Sequence, residues 1–180
     1  VVTLNGAAKR NWELGGSYTE LGASATDISG TVTVVTSGSV DTSTLGSYTL
    51  TYTSTDASGN ASTATRVVTV VDTTAPVVTL NGAAKRDWEL GGSYTELGAS
   101  ATDISGTVTV VTSGSVDTST LGSYTLTYTS TDASGNAGTA TRVVTVVDTT
   151  APVVTLNGAA KRNWELGGSY TELGASATDI

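Results

Sequence analysis

The sequence predicts an all-β protein built from a tandem array of small β-sandwich domains. Three observations lead to this fold class. The segment that starts at Val1 returns at Val77 and again at Val153. Within each copy, short runs alternate apolar and polar residues with period two, as strands with one buried face do. Turn signals rich in Gly, Asn, Asp and Ser separate these runs at intervals of about 8–12 residues, and no helical period appears.

The repetition defines the expected domains. Residues 1–76 and 77–152 are two full repeats, and residues 153–180 are the N-terminal part of a third, truncated one. The two full repeats differ at two positions only: Asn11 against Asp87, and Ser62 against Gly138. Self-similarity of this kind indicates an array of domains. Because the third repeat stops inside its own pattern, we expect the chain to be part of a longer polypeptide.

A β-hairpin closes each repeat. From Tyr48 to Thr55 the side chains alternate, with Tyr48, Leu50 and Tyr52 on one face and threonines on the other. The segment 56–60 has turn chemistry, because Gly and Asn tolerate positive φ. A second β-rich run covers 63–71, with Val68 and Val70 facing inward.

Shorter strands precede the hairpin. Val1–Leu4 is the first, and Asn5-Gly6 is a strong turn signal. Ala23 and Ala25 alternate with polar residues up to Asp27, and Val32 and Val34 alternate with threonines in a further expected strand. The count is about six or seven strands per repeat.

Tyr48 supplies a sharper clue to the sandwich type. It stands at the start of the penultimate strand, two residues before the core position Leu50. This is the pattern of a tyrosine corner, in which the hydroxyl bonds back to nearby backbone in immunoglobulin-like sandwiches. The alternative is an ordinary core tyrosine, and we favour the corner.

Four segments in order resemble the bacterial surface immunoglobulin-like repeat, an HYR-like module: VVTLNG, WELGGSYTELGASATD, GSVDTSTLGSYTLTYTSTDASGNA and RVVTVVDTTAP. The resemblance implies tandem immunoglobulin-like β-sandwich domains of about seven short strands. It also implies an extracellular stalk or adhesin module of bacteria rather than an activity. One departure is that Ile28-Ser29-Gly30-Thr31 stands where relatives often carry a further acidic loop.

Composition narrows the possible functions. The formal net charge is −8, which argues against nucleic acid and anionic membranes as partners and suits divalent cations. No apolar run approaches the roughly 18 residues of a membrane span. The chain contains no cysteine, so it has no disulfides, and this count alone does not identify the compartment.

Catalysis is not expected. The chain contains no histidine or cysteine, and no base is evident that would activate a serine. Glu13 and Glu20 could be imagined as a glycosidase pair, but solvated loop carboxylates are the favoured interpretation. An isopeptide bond from Lys9 is a minor alternative, since no buried acid is obvious beside it.

The aspartates suggest a cation site. Asp27 and Asp56 end strands that finish at the same pole of a sandwich, and Asp72 ends the last strand at the opposite pole. The next repeat begins at its own Asp103/Asp132 pole, so Asp72 should arrive beside Asp103 and Asp132. The same logic groups Asp148 with Asp179 and with a further aspartate that we expect beyond the end of this chain. Three carboxylates with loop carbonyls would suit Ca²⁺. The alternative is that these acids cap their own turns.

The predicted function is structural: an extracellular stalk, an adhesin shaft or a surface filament, with other copies of the chain as partners. The alternative is a module that binds surface glycans or proteins by avidity. Trp12 and Trp88 would serve such a contact if they were exposed, but a core or interdomain position is favoured because Leu14 shares the face of Trp12.

Overall fold

The chain folds entirely as β-structure in a computed structural model that describes residues 1–179. Within residues 1–76, six strands form: β1 (Val2–Leu4), β2 (Lys9–Glu13), β3 (Ala23–Ala25), β4 (Val35–Ser37), β5 (Gly46–Thr55) and β6 (Ala61–Val71). The second repeat has the same six: β7 (Val77–Leu80), β8 (Lys85–Glu89), β9 (Ala99–Thr102), β10 (Val110–Ser113), β11 (Gly122–Thr131) and β12 (Ala137–Val147). Two strands follow in the third: β13 (Val153–Leu156) and β14 (Ala175–Thr178).

Each full repeat contains two sheets. In the first repeat, a four-stranded sheet has the order β2-β6-β5-β4, and β1 pairs with β3 in a two-stranded sheet. β5 and β6 are antiparallel, whereas β2 runs parallel to β6. The second repeat reproduces this order as β8-β12-β11-β10 and β7-β9. The predicted all-β fold with tandem immunoglobulin-like sandwiches is confirmed.

The hairpin β5–β6 supplies the core, as its alternation predicts. Leu50 and Tyr52 on β5 and Val68 and Val70 on β6 are all buried. Burying a side chain of this size contributes about 1.5–3 kcal/mol relative to leaving it exposed. The apolar face of this one hairpin is therefore the main source of stability in its repeat.

The tyrosine corner is present in both full repeats. The Tyr48 hydroxyl donates to the Thr44 carbonyl at 2.8 Å, and Tyr124 donates to Thr120 at the same distance. Each bond ties the start of the penultimate strand to the turn just before it. The interpretation of Tyr48 as a corner is confirmed.

One local expectation was wrong. Val32 and Val34 lie outside any strand, and the strand forms instead at Val35–Ser37. All three residues of β4 are exposed at the edge of the sheet, so its position depends on pairing with β5 and not on burial of an apolar face. The chain does bend at Asn5-Gly6, and β1 pairs with β3.

The chain divides into two compact units that do not follow the sequence repeat. The first comprises Val1–Val77 together with Ala101–Thr109 and Ser130–Gly138. The other described residues belong to the second. Two turn regions of the second repeat are therefore part of the same unit as the whole first repeat. The boundary after residue 76 stays a prediction.

Candidate cation site

Asp27 and Asp56 each organise a turn. Oδ1 of Asp27 accepts the Ser29 N–H at 2.8 Å, and Oδ1 of Asp56 accepts the N–H groups of Ser58 and Asn60, each at 2.9 Å. Hydrogen bonds from Ser29 hold the pKa of Asp27 below its usual value, and those from Asn60 do the same for Asp56. Both residues are therefore carboxylates at neutral pH, and both cap local backbone.

The same two aspartates also lie together. Both line one small pocket in the first repeat, and the charge of Asp56 opposes the lowering of the Asp27 pKa. The strands that precede them do end at one pole, as the topological argument required. The first repeat therefore brings two carboxylates to a common pocket.

In the second repeat the equivalent pair gains a third carboxylate. Asp72, Asp103 and Asp132 each offer an oxygen, and these oxygens lie within 4.8 Å of one another. All three residues belong to the first compact unit. Asp72 is 7% exposed and Asp132 is 8% exposed, so two of the three are nearly removed from water. We call this group the Asp72 cluster.

Turn capping leaves part of the Asp72 cluster unsatisfied. Oδ1 of Asp72 accepts the Thr74 N–H at 3.1 Å, and Oδ1 of Asp103 accepts the Ser105 N–H at 2.8 Å. The Oδ2 atoms of Asp72 and Asp103 are buried and have no hydrogen-bond partner. Capping therefore explains one oxygen of each carboxylate and leaves the other without a partner.

Asp132 is bonded differently. Its two oxygens accept the backbone and side-chain N–H groups of Asn136, each at 2.8 Å. Burial raises the pKa of Asp132, but the hydrogen bonds from Asn136 outweigh burial and lower the pKa overall. Asn136 also donates from Nδ2 to the Asp72 backbone carbonyl at 3.1 Å. One side chain therefore contacts both Asp132 and Asp72.

The electrostatics of this arrangement favour a cation. Two unit charges about 5 Å apart at an effective dielectric constant of about 20 repel by on the order of 3 kcal/mol. Buried carboxylate oxygens without partners add a desolvation cost. A divalent ion would offset both, because its positive charge attracts the carboxylates and it accepts the free lone pairs.

The structure does not assemble a second such group at the other predicted residues. Asp148 is exposed and accepts the Thr150 N–H at 3.1 Å, and Asp179 is exposed. Within residues 1–179, neither joins a group of three potential ligands.

Sequence reasoning missed a buried ion pair. The Arg66 side chain is fully buried and forms an ion pair with Glu20. Arg66 also donates to the carbonyls of Ala7 at 3.0 Å and Asn5 at 2.7 Å, and its guanidinium lies 5.7 Å from the Tyr52 ring centre. Arg142 and Glu96 form the same pair in the second repeat. Arg66 has the same parity along β6 as Val68 and Val70, and that signal could have revealed its inward position.

The sequence suggested that Glu13 and Glu20 are solvated loop carboxylates, but in the structure both side chains make specific contacts. Glu20 pairs with Arg66, whereas Glu13 accepts the Thr73 N–H at 3.0 Å and the Thr74 hydroxyl at 2.7 Å. These bonds from the two threonines lower the pKa of Glu13, and the equivalent bonds from Thr149 and Thr150 lower that of Glu89 to about 2. Each glutamate therefore has a separate structural contact.

Trp12 is half-buried. Its ring meets Tyr18 edge to face with centres 5.1 Å apart, and the Arg10 guanidinium lies 5.1 Å from its ring centre. Trp88 has the same neighbours in the second repeat, Tyr94 and Arg86. Arg10 therefore packs within its own repeat.

Lys9, the candidate for an isopeptide bond, is exposed. Among residues 1–179 there is no helix with the length and hydropathy of a membrane span.

Comparison with known proteins identifies two relatives that match most of the chain. The chain is 40% identical over 183 residues to Hyalin of Strongylocentrotus purpuratus, with 90% of the chain and 15% of that protein covered. It is 38% identical over 157 residues to Hyalin of Lytechinus variegatus, with 79% of the chain and 29% of that protein covered. The chain thus spans less than a third of either relative.

Among solved structures, the lipoprotein BT2262 from Bacteroides thetaiotaomicron is 36% identical. The match covers 42% of this chain and 39% of that one, with a TM-score of 0.36. The family model described as "Bacterial surface protein, Ig-like domain" matches twice, at residues 2–70 and 78–146. The tyrosine corners, the sandwich sheets and these two matches agree, and the chain belongs to the bacterial surface protein Ig-like domain family.

Proposed function

We propose that this chain is a structural repeat of an extracellular surface protein and that Ca²⁺ binds at the Asp72 cluster. The observation that carries the proposal is the convergence of three carboxylates whose oxygens lie within 4.8 Å of one another. Two of those carboxylates retain a buried oxygen with no hydrogen-bond partner. Capping alone gives no reason for the three carboxylates to be grouped.

The spacing suits Ca²⁺. The ion takes six to eight oxygens at about 2.3–2.6 Å, so ligands on opposite sides of it stand about 5 Å apart. Oxygens within 4.8 Å of one another can therefore share one ion after small side-chain rotations. Mg²⁺ is less suited, because it requires near-octahedral geometry at about 2.0–2.1 Å and retains its waters.

An ion at the Asp72 cluster would connect segments far apart in sequence. Asp72 follows β6 directly, Asp103 follows β9, and Asp132 follows β11. The linker, which we define as residues 72–76, would thereby be bound to two turns of the second repeat. Pro76 fixes φ near its end, and Glu13 binds Thr73 and Thr74, so the linker has little remaining freedom.

The proposed role follows from repetition of this arrangement. Residues 1–76 and 77–152 would each be one folding unit, and 153–180 would begin a third. Nearly identical units with identical linkers give a regular array. A stalk, adhesin shaft or filament is the use that such an array suits, and a structural rather than catalytic role follows from it.

Calorimetric titration of Ca²⁺ into the full chain tests the ion site. We expect one ion per chain, with binding abolished in Asp72→Asn and in Asp103→Asn. Asparagine keeps an oxygen that can cap the turn but removes the charge, so these variants separate the ion from the cap. Asp148→Asn is the matched control and should leave binding unchanged. Absence of binding at millimolar Ca²⁺, or equal loss in the control, would contradict the site.

A further inference from the structure

One of the two differences between the full repeats lies where the linker contacts the second repeat. Ser62 and Gly138 occupy the same position, the second residue of β6 and of β12. Gly138 does not have a positive φ, so the backbone conformation does not require glycine there. A strand interior is normally a poor place for glycine, unless another backbone approaches closely.

Such an approach is present at Gly138. A Cβ atom built on Gly138 would lie 1.8 Å from the Pro76 carbonyl oxygen and 3.0 Å from its carbonyl carbon. Real Cβ atoms show no contact as short as 1.8 Å. The obstructing atoms are backbone, so they cannot move aside as the end of a flexible side chain would. Gly138 therefore leaves the space that the Pro76 carbonyl occupies.

The other end of the linker is held by a nearby residue. Asn136, two residues before Gly138, donates from Nδ2 to the Asp72 carbonyl at 3.1 Å. The equivalent side chain in the first repeat, Asn60, donates to Asp56 alone. Linker residues 72 and 76 and the turn at 130–138 belong to the same compact unit.

We infer that Gly138 is the specificity-determining residue that allows the linker to pack against the second repeat. Serine at this position prevents a linker from packing there. The surface formed by Asn136 and Gly138 accepts one occupant, the DTTAP segment of a preceding repeat. A repeat of the first type presents Asn60 and Ser62 instead. A DTTAP segment before it would meet a Cβ where the Pro76 carbonyl oxygen lies. The residue at position 62 or 138 thus determines which repeats receive a linker in this way.

Hydrogen exchange of the Asn60 and Asn136 side-chain amides, monitored by NMR on the full chain in chelator, tests the inference. In the unsubstituted chain, Asn136 should exchange several-fold more slowly than Asn60, because only Asn136 also bonds the Asp72 carbonyl. This comparison needs no variant, and equal exchange would by itself overturn the inference.

Substitutions then locate the cause. Gly138→Ala and Gly138→Ser should both raise the Asn136 exchange rate to that of Asn60, because the clash arises at Cβ. Both should fold, since serine occupies the same strand position in the first repeat. Ser62→Ala and Ser62→Gly are the matched controls and should leave Asn136 unchanged. An effect of Gly138→Ser without one of Gly138→Ala, or an equal effect of the controls, would refute the role of the Cβ atom.

The inference does not depend on the ion. Because the exchange is measured in chelator, the packing of the linker against Gly138 can be confirmed while Ca²⁺ titration of the same chain shows no binding. Conversely, Ca²⁺ can bind while Gly138→Ala leaves Asn136 unaffected. The two outcomes are therefore distinguishable.

Discussion

The Arg66 side chain carries a full positive charge and has no exposed surface. Its charge is compensated by a partner from a distant part of the chain. Its partner, Glu20, also accepts the Gly22 N–H at 2.8 Å and the Tyr18 hydroxyl. Removing one member of a buried pair leaves the other charge uncompensated, which costs about 3–5 kcal/mol. Because Glu20 is about a quarter exposed, the lower end of that range applies.

We expect Glu20→Ala to lower the free energy of unfolding of the first repeat by about 3 kcal/mol. Glu20→Gln should cost less, because the amide oxygen still accepts hydrogen bonds from Arg66. Chemical denaturation measures both effects. Glu172→Ala is the matched control, since Glu172 has the same local bonds from Tyr170 and Gly174 but is exposed. Equal losses in Glu20→Ala and Glu172→Ala would show that the ion pair with Arg66 is unimportant.

The tyrosine corner makes a second prediction about single residues. Tyr48→Phe removes the hydroxyl that bonds the Thr44 carbonyl, and Tyr124→Phe does the same at Thr120. Each should lower the free energy of unfolding of its own repeat by about 1 kcal/mol, the usual net value of one hydrogen bond. The two losses should add in the double variant, since the sites share no partner. Thermal unfolding unchanged in both single variants would contradict this.

Among the elements, the connection of β8 to the segment after β12 is sensitive to acid. Glu89 at the end of β8 accepts the Thr149 and Thr150 N–H groups and hydroxyls, which lowers its pKa to about 2. A carboxyl whose pKa is depressed on folding contributes stability above its unfolded pKa, near 4.5. That contribution is lost as the pH falls from about 5 towards 2.

Glu89→Gln should therefore flatten the dependence of unfolding free energy on pH between about 2 and 5, because the glutamine does not titrate. The measurement is denaturant unfolding at a series of pH values. Glu165→Gln, the same position in the third repeat, should keep the slope of the unsubstituted chain. An unchanged slope in Glu89→Gln would show that the threonine bonds to Glu89 are not formed in solution.

The elements differ in how far the sequence predicts them. β5 and β6 follow from their alternation because one face of each is buried, and a shift by one residue would expose Leu50 or Val68. β4 does not follow from alternation because it is an exposed edge strand, positioned only by its pairing with β5. Arg66 was missed because a charged residue is normally assigned to solvent, although its parity on β6 indicated the inward face.

At the scale of the whole molecule, the repeat made the grouping of Asp72, Asp103 and Asp132 predictable. Strand direction alone determines which strand ends meet, so this grouping can be predicted without side-chain detail. Strand direction did not reveal that two carboxylates keep a free buried oxygen, since that depends on which oxygen each turn uses. Nor did it give a reason for Gly138, because the approach of the Pro76 carbonyl is a property of the folded chain.

The melting temperature of the full chain tests whether Ca²⁺ holds the linker to the second repeat. The measurement compares millimolar Ca²⁺ with chelator, beside an Asp103→Asn/Asp132→Asn variant. An ion that binds only the folded state must raise stability. We predict a melting temperature several degrees higher in Ca²⁺, and no such rise in the variant. An identical melting temperature in Ca²⁺ and in chelator would contradict the Ca²⁺ site and leave these aspartates as turn caps alone.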